Sequence, residues 1–229
     1  MAPRFDAVLF DAGGVLVLPD PTVLAPLLSY YGGDPSIERH HRAHYAAMKA
    51  KSDEGSPESD WAGYNDAYVA SVGVRPDDAA EASDVLGQTR HAVLWRWKIQ
   101  DTRDAFDRLA QANVPMGVVS NASGQIEGML AREMCQVGSG PHVEMRCIID
   151  SLVVGVAKPD PAVFDFALSY LSEFERSRIA YVGDSVTMDV ATSRAAGLHP
   201  ILIDPYDDHV GADFERIASV GRLADELTA

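Results

Sequence analysis

Four polar side chains, Asp11, Ser120, Lys158 and Asp184, fall at or just beyond the ends of short apolar runs. Two carboxylates brought to neighbouring strand ends would offer hard oxygen ligands to Mg²⁺, which binds through one or two carboxylates together with substrate phosphate. A lysine supplies a compact positive charge for phosphate oxygens. A serine hydroxyl beside backbone N–H groups supplies donors to the same oxygens. An aspartate can itself accept a phosphoryl group. Taken singly, each residue reads as a turn residue or a helix cap. Taken together, they read as a site for phosphoryl transfer.

The elements that must carry these residues follow from the apolar pattern. Ala7 to Phe10 is a continuous apolar run that ends in Asp11 and is followed by Gly13 and Gly14. Such a run reads as a buried strand of a parallel sheet, with the carboxylate at its ligand-binding end. Val114 to Ser120, Cys147 to Asp150, Ile179 to Asp184 and Pro200 to Ile203 repeat the pattern. Helical stripes lie between them: Asp101 to Ala112, a helix from Ser123 to about Met134, one led by Lys158-Pro159-Asp160-Pro161, and Ser185 to Ala196 stopped by Gly197. The tail from Ile217 offers an edge strand and a last helix. Strands alternating with helices predict an α/β fold, a doubly wound, Rossmann-like parallel sheet.

Roughly a hundred residues separate Asp11 from Ser120, whereas a βαβ unit needs only about 30. The excess reads as nearly all helical, with no convincing strand. Leu24, Leu27, Leu28 and Tyr31 form one stripe, a helix starts at Asp34-Pro35, Trp61, Tyr64 and Tyr68 form another stripe, and Pro76-Asp77 opens a further helix. The expected organisation is therefore a core of residues 1–17 and 97–229 with a small all-helical cap domain inserted over 18–96.

These stretches carry a resemblance. Phe10-Asp11-Ala12-Gly13-Gly14-Val15-Leu16 resembles the first motif of the haloacid dehalogenase-like (HAD) hydrolase superfamily. Val118-Val119-Ser120-Asn121 resembles its second, Lys158-Pro159-Asp160-Pro161 with Phe164 its third, and Val182-Gly183-Asp184-Ser185 followed by Asp189 its fourth. The order is the family's own, and the inserted helices match the placement of a C1-type cap. The resemblance implies that Asp11 is the nucleophile and a Mg²⁺ ligand. It implies that Ser120 and Lys158 hold the transferring phosphoryl group, with Asn121 contacting phosphate or substrate. Asp184 would ligate Mg²⁺, Gly13 would do so through its backbone carbonyl, and Asp189 would stand behind the ligands or join them.

One position departs from the pattern. The family's phosphatases usually carry Asp where this chain has Gly13, and that Asp protonates the leaving group and later activates water. Loss of a general acid–base costs a factor of about 10²–10⁴. The expected function is a Mg²⁺-dependent phosphatase of small phosphorylated metabolites with weakened or altered acid–base catalysis. The alternative is a catalytically silent relative that binds a phosphorylated ligand or a partner. A dehalogenase fits less well because Gly183-Asp184-Ser185 with Asp189 keeps a metal site. A phosphonatase fits less well because Lys49 and Lys51, the lysines of the cap, lie in a polar run expected to be exposed.

Composition sets the remaining bounds. The chain has 229 residues, is 47% hydrophobic and carries a formal net charge of −15. That balance disfavours nucleic acid and anionic membrane surfaces, which require clustered Lys and Arg. No apolar stretch is long enough for a signal peptide or a membrane span, so a cytoplasmic protein is expected. Cys135 and Cys147 read as ordinary thiols. His40, His41 and His44 read as a solvated helix face, the Trp61–Tyr64–Tyr68 stripe as packing, and Asp150 as a cap.

Overall fold

The computed structural model describes residues 4–229. The chain begins with β1 (Ala7–Phe10), wholly buried. An inserted stretch follows: β2 (Val17–Pro19), α1 (Pro21–Ser29), α2 (Ile37–Asp53), α3 (Ala62–Ser71), α4 (Ala79–Thr89) and β3 (Trp95–Lys98). The chain then resumes alternation with α5 (Gln100–Gln111), β4 (Met116–Ser120), α6 (Ile126–Leu130), β5 (Cys135–Val137), β6 (Val143–Met145), β7 (Ile148–Asp150), α7 (Ser151–Val154) and α8 (Val163–Leu168). It closes with β8 (Ile179–Gly183), a π-helical turn over Val186–Val190, α9 (Ala191–Ala195), β9 (His199–Ile203), β10 (Glu215–Ile217) and α10 (Val220–Thr228). Two compact units result, one of Met1–Leu16 with Lys98–Ala229, the other Val17–Trp97.

The first unit is an α/β fold. Its sheet runs β10-β9-β8-β1-β4-β7, and every neighbouring pair is parallel. The chain leaves β1 toward β4 and β7 on one side and later fills β8, β9 and β10 on the other. The strand order therefore reverses at β1, which is where an open sheet forms its ligand crevice. Register brings the carboxyl ends level: Phe10 pairs with Val118 on β4 and with Val182 on β8. On one face Leu9, Val119 and Tyr181 pack against Val163, Phe164 and Leu168. Phe10 instead meets Phe106 of α5, with ring centroids 5.0 Å apart. Fully burying a Leu or Phe contributes roughly 1.5–3 kcal/mol, so these central strands anchor the loops at their ends.

Several local expectations change. The helix expected from Ser123 is confined to Ile126–Leu130. Asp150, the N-cap of α7, accepts from Leu152 N at 3.0 Å and from Gly124 N at 2.8 Å. Gly124 stands at φ 87, which a continuing helix would not allow. The residues after α6 form a small two-stranded sheet, β5 with β6. Cys135 and Cys147 are free and buried, and burial pushes both thiols up to about 12.

The second unit is not all-helical: besides its helices it carries the two-stranded ribbon of β2 and β3. Short strands with only three or four residues give too little periodicity to register in a sequence. Helix α2 starts at Ile37 rather than Pro35, because the Asp34 carboxylate accepts from Ser36 N at 2.8 Å and holds a turn there. The histidines are not a solvated face. His40 and His44 are buried, and their Nδ1 atoms lie 2.9 Å from the hydroxyls of Tyr68 and Tyr64. Ala43 and Ala47 flank them on α2, and these small residues let the tyrosine rings of α3 approach. Lys51 is buried too, contrary to its polar neighbourhood. Its ammonium donates to the carbonyls of Pro57 (2.7 Å) and Asp60 and lies 4.4 Å from the Trp61 ring centroid. Tyr64 and Tyr68 belong to the core of this unit, with Trp61 against it.

Candidate active site

The site lies at the reversal point of the sheet. Asp11 follows β1 directly and continues the ladder, its N–H donating to Val182 O at 2.8 Å. Ser120 ends β4, and Asp184 follows β8. Three adjacent strands thus deliver three polar residues to one edge, all of them buried.

Lys158 comes in from the loop before α8. The Asn121 carboxamide fixes its backbone: Lys158 N donates to Asn121 Oδ1 and Asn121 Nδ2 donates to Lys158 O, each at 2.9 Å. The side chain expected to touch substrate is thereby occupied in holding Lys158. The Lys158 ammonium reaches Asp189 Oδ1 at 2.6 Å, the Tyr181 hydroxyl at 2.8 Å and Asp11 Oδ1 at 3.0 Å.

Asp189 is enclosed on both sides. While Oδ1 faces Lys158, Oδ2 accepts from Asp184 N at 3.0 Å and Ser185 N at 2.9 Å. These bonds fold the chain after β8 back on itself, and the turn that results is π-helical rather than the start of a regular helix. Two glycines make room for the carboxylates. A Cβ on Gly183 would stand 2.2 Å from Asp189 Cγ, and one on Gly14 would stand 1.9 Å from Asp184 Oδ2. Gly14 also sits at φ 65, where a side chain is strained. Gly13 is half-buried and has no side chain to offer.

The electrostatics are those of crowded acid. The Asp11 carboxyl is pushed up to about 7, chiefly by burial, with the Lys158 charge opposing the rise and Asp189 and Asp184 adding to it. Burial alone would lower the Lys158 ammonium, but Asp11 and Asp189 hold it well above the usual lysine range. Asp11 and Asp189 thus share one ammonium while a third buried carboxylate, Asp184, lies beside them, and buried charge left uncompensated is costly.

That surplus is the test of whether a cation suits the site. Asp11, Asp184 and Asp189 offer oxygens within 4.8 Å of one another. Asp11 Oδ1 is sealed from solvent without an aligned hydrogen bond, its ion pair with Lys158 notwithstanding. Hard oxygen donors with excess negative charge fit a divalent cation such as Mg²⁺. Asp11 and Asp184 are the carboxylates that would hold it, whereas the oxygens of Asp189 are engaged by Lys158 and by the N–H groups of Asp184 and Ser185.

The structure brings Asp11, Lys158, Asp184 and Asp189 together. It also adds Tyr181, which belongs to none of the polar positions marked by the strand ends. The signal was a lone hydroxyl inside the otherwise apolar run Ile179 to Val182. Gly14 and Gly183 stand out in the sequence only as members of motifs. Their role in seating carboxylates needed coordinates to see.

Comparison with known proteins identifies the family. A protein-family model described as a hydrolase, haloacid dehalogenase-like, matches residues 5–197. Haloacid dehalogenase-like hydrolase domain-containing protein 3 of Danio rerio is 31% identical over 112 residues, covering 48% of this chain and 43% of that protein. Ribulose-1,5-bisphosphate 5-phosphatase of Halopiger xanaduensis is 26% identical over 152 residues, 66% of this chain and 60% of that one. The chain thus spans about half the length of these curated relatives. The crystal structure of a HAD phosphatase from Thermococcus onnurineus superposes with a TM-score of 0.58 at 19% identity, over 96% of both chains, and shows the shared fold. No helix among the described residues is long and apolar enough to cross a membrane. With the family match running over most of its length, the chain belongs to the haloacid dehalogenase-like hydrolases.

Proposed function

We propose that this hydrolase is a Mg²⁺-dependent phosphatase of small phosphorylated metabolites, acting through an aspartyl phosphate on Asp11. The observation that carries the reading is the buried Asp11–Lys158–Asp189 chain at the reversal point of the sheet, with Asp184 beside it. The phosphatase name of one relative points the same way. The inserted unit Val17–Trp97 has the sequence position of a cap domain.

In this reading an Asp11 oxygen attacks phosphorus, the bond to the leaving-group oxygen breaks, and the phosphoryl group rests on Asp11. Lys158 neutralises phosphoryl oxygens and relieves their repulsion with the nucleophile. The Ser120 hydroxyl donates to the same oxygens. Water then attacks phosphorus and returns Asp11 as a carboxylate. A bound Mg²⁺, held by Asp11, Asp184 and the Gly13 carbonyl, would supply charge neutralisation on the phosphoryl oxygens. Asp189 keeps Lys158 in place from behind. Gly13 donates no proton, so aryl and acyl phosphates, whose leaving groups need none, are the expected best substrates.

Gly13 also favours a second reading, a silent protein that binds a phosphorylated ligand at the same residues. One experiment separates them. Purified protein with Mg²⁺ is offered a panel that includes acyl and aryl phosphates. Phosphate release that needs Mg²⁺ and is lost in Asp11→Asn supports the enzyme. A phosphate or beryllofluoride adduct forming with Mg²⁺ while no panel member turns over supports the binding protein.

A further inference from the structure

We propose that Tyr181 is a positioning residue for Lys158, fixing its ammonium against Asp11 and tying it to the end of the strand that carries Ser120. The proposal rests on the reading of Asp11 and Lys158 as the phosphoryl site. Tyr181 lies in the middle of β8, and its ring is buried edge-on to Phe164 of α8, with centroids 4.6 Å apart. Its hydroxyl is a junction. It accepts from Lys158 Nζ at 2.8 Å and donates to Val119 O at 2.9 Å, while Asp189 Oδ1 lies 3.2 Å away. Val119 is the residue before Ser120, so one oxygen links the lysine loop, the serine strand and the acidic turn.

The ammonium explains why this junction matters. It has three N–H donors and three oxygens in reach: Asp189, Tyr181 and Asp11. When a phosphoryl group arrives, Lys158 must turn one donor from Asp11 to a phosphoryl oxygen. Asp189 and Tyr181 then remain as its fixed points. A single acceptor would let Nζ swing about it, whereas two set its direction. Tyr181 is the neutral one of the two, so it orients the ammonium without cancelling the charge that the phosphoryl oxygens need.

Tyr181→Phe keeps the packed ring and removes the oxygen. It leaves one buried N–H of Lys158 and the Val119 carbonyl without their partner. We expect kcat on an aryl phosphate to fall about ten- to hundredfold, with KM changed less than about threefold, as befits lost orientation of a charged group. The two groups left unpaired should lower the thermal midpoint by several degrees, so kcat is read well below it. A crystal structure of Tyr181→Phe should show Nζ displaced from its place 3.0 Å from Asp11 Oδ1. Full kcat, or an Nζ that has not moved, overturns the proposal. Should the wild type itself release no phosphate, the phosphatase reading fails on its own, and the position of Nζ in the variant still decides the role of Tyr181. If Tyr181→Phe fails to fold, a fluorinated tyrosine at position 181 retains the ring and weakens the oxygen as an acceptor. A lower kcat in that protein supports the proposal and an unchanged one overturns it.

Discussion

His44 should make the Val17–Trp97 unit sensitive to acid, by an amount the structure sets. Its ring is buried, with Nδ1 2.9 Å from the Tyr64 hydroxyl. Burial pushes its pKa down from 6.5 to about 3, and the nearby Arg90 charge adds to the effect. The unfolded chain therefore takes up a proton as pH falls below about 6.5, while the folded chain refuses it until about 3. Stability tied to His44 is complete above that window and drains away as pH falls through it. At pH 4.5 the loss is about 3 kcal/mol. His40 and His41 are shifted in the same direction by burial and steepen the slope. All three tryptophans, Trp61, Trp95 and Trp97, belong to this unit, so their fluorescence reports its unfolding. Urea denaturation of wild type and His44→Leu at pH 7.5 and 4.5 gives the comparison. The variant loses a hydrogen bond and starts lower, but it should lose about 3 kcal/mol less between the two pH values than the wild type does. Equal losses in the two proteins would refute a neutral buried His44.

Two further substitutions probe the site. Gly14→Ala places a Cβ 1.9 Å from Asp184 Oδ2 at a strained φ of 65, so Asp184 or the loop must move. Phosphate release should fall at least about tenfold at limiting Mg²⁺, and an unchanged Mg²⁺ titration would speak against Asp184 as a ligand. Gly13→Asp should raise turnover of alkyl phosphates by up to about 10²–10⁴ and of aryl phosphates far less, read from the ratio of the two rates. A ratio that does not change would mean that another group already delivers the proton.

Much of the core was legible because its signals are local. Each central strand is a short apolar run that ends in a polar residue, and Asp11, Ser120 and Asp184 mark those ends in the sequence itself. The parallel register, with Phe10 level with Val118 and Val182, then follows from burying all three runs. What stayed hidden depends on side chains meeting across elements. His40 and His44 looked like a polar face because their phenolic partners lie on another helix. Lys51 looked exposed because the acceptors that bury it are backbone carbonyls, which no residue type announces. The Asn121 clamp on Lys158 joins residues 37 positions apart through one carboxamide, and no periodicity encodes that. The β2–β3 ribbon was missed because its strands are short and sit at either end of a helical stretch.

Asp11 is the residue proposed to receive the phosphoryl group. Protein mixed with an aryl phosphate and Mg²⁺, quenched in acid within the turnover time, and digested should yield a peptide heavier by one phosphoryl group, with fragmentation placing it on Asp11. Asp11→Asn should yield none and release no phosphate. A phosphoryl group found on another residue, or phosphate released at the wild-type rate by Asp11→Asn, would contradict that role.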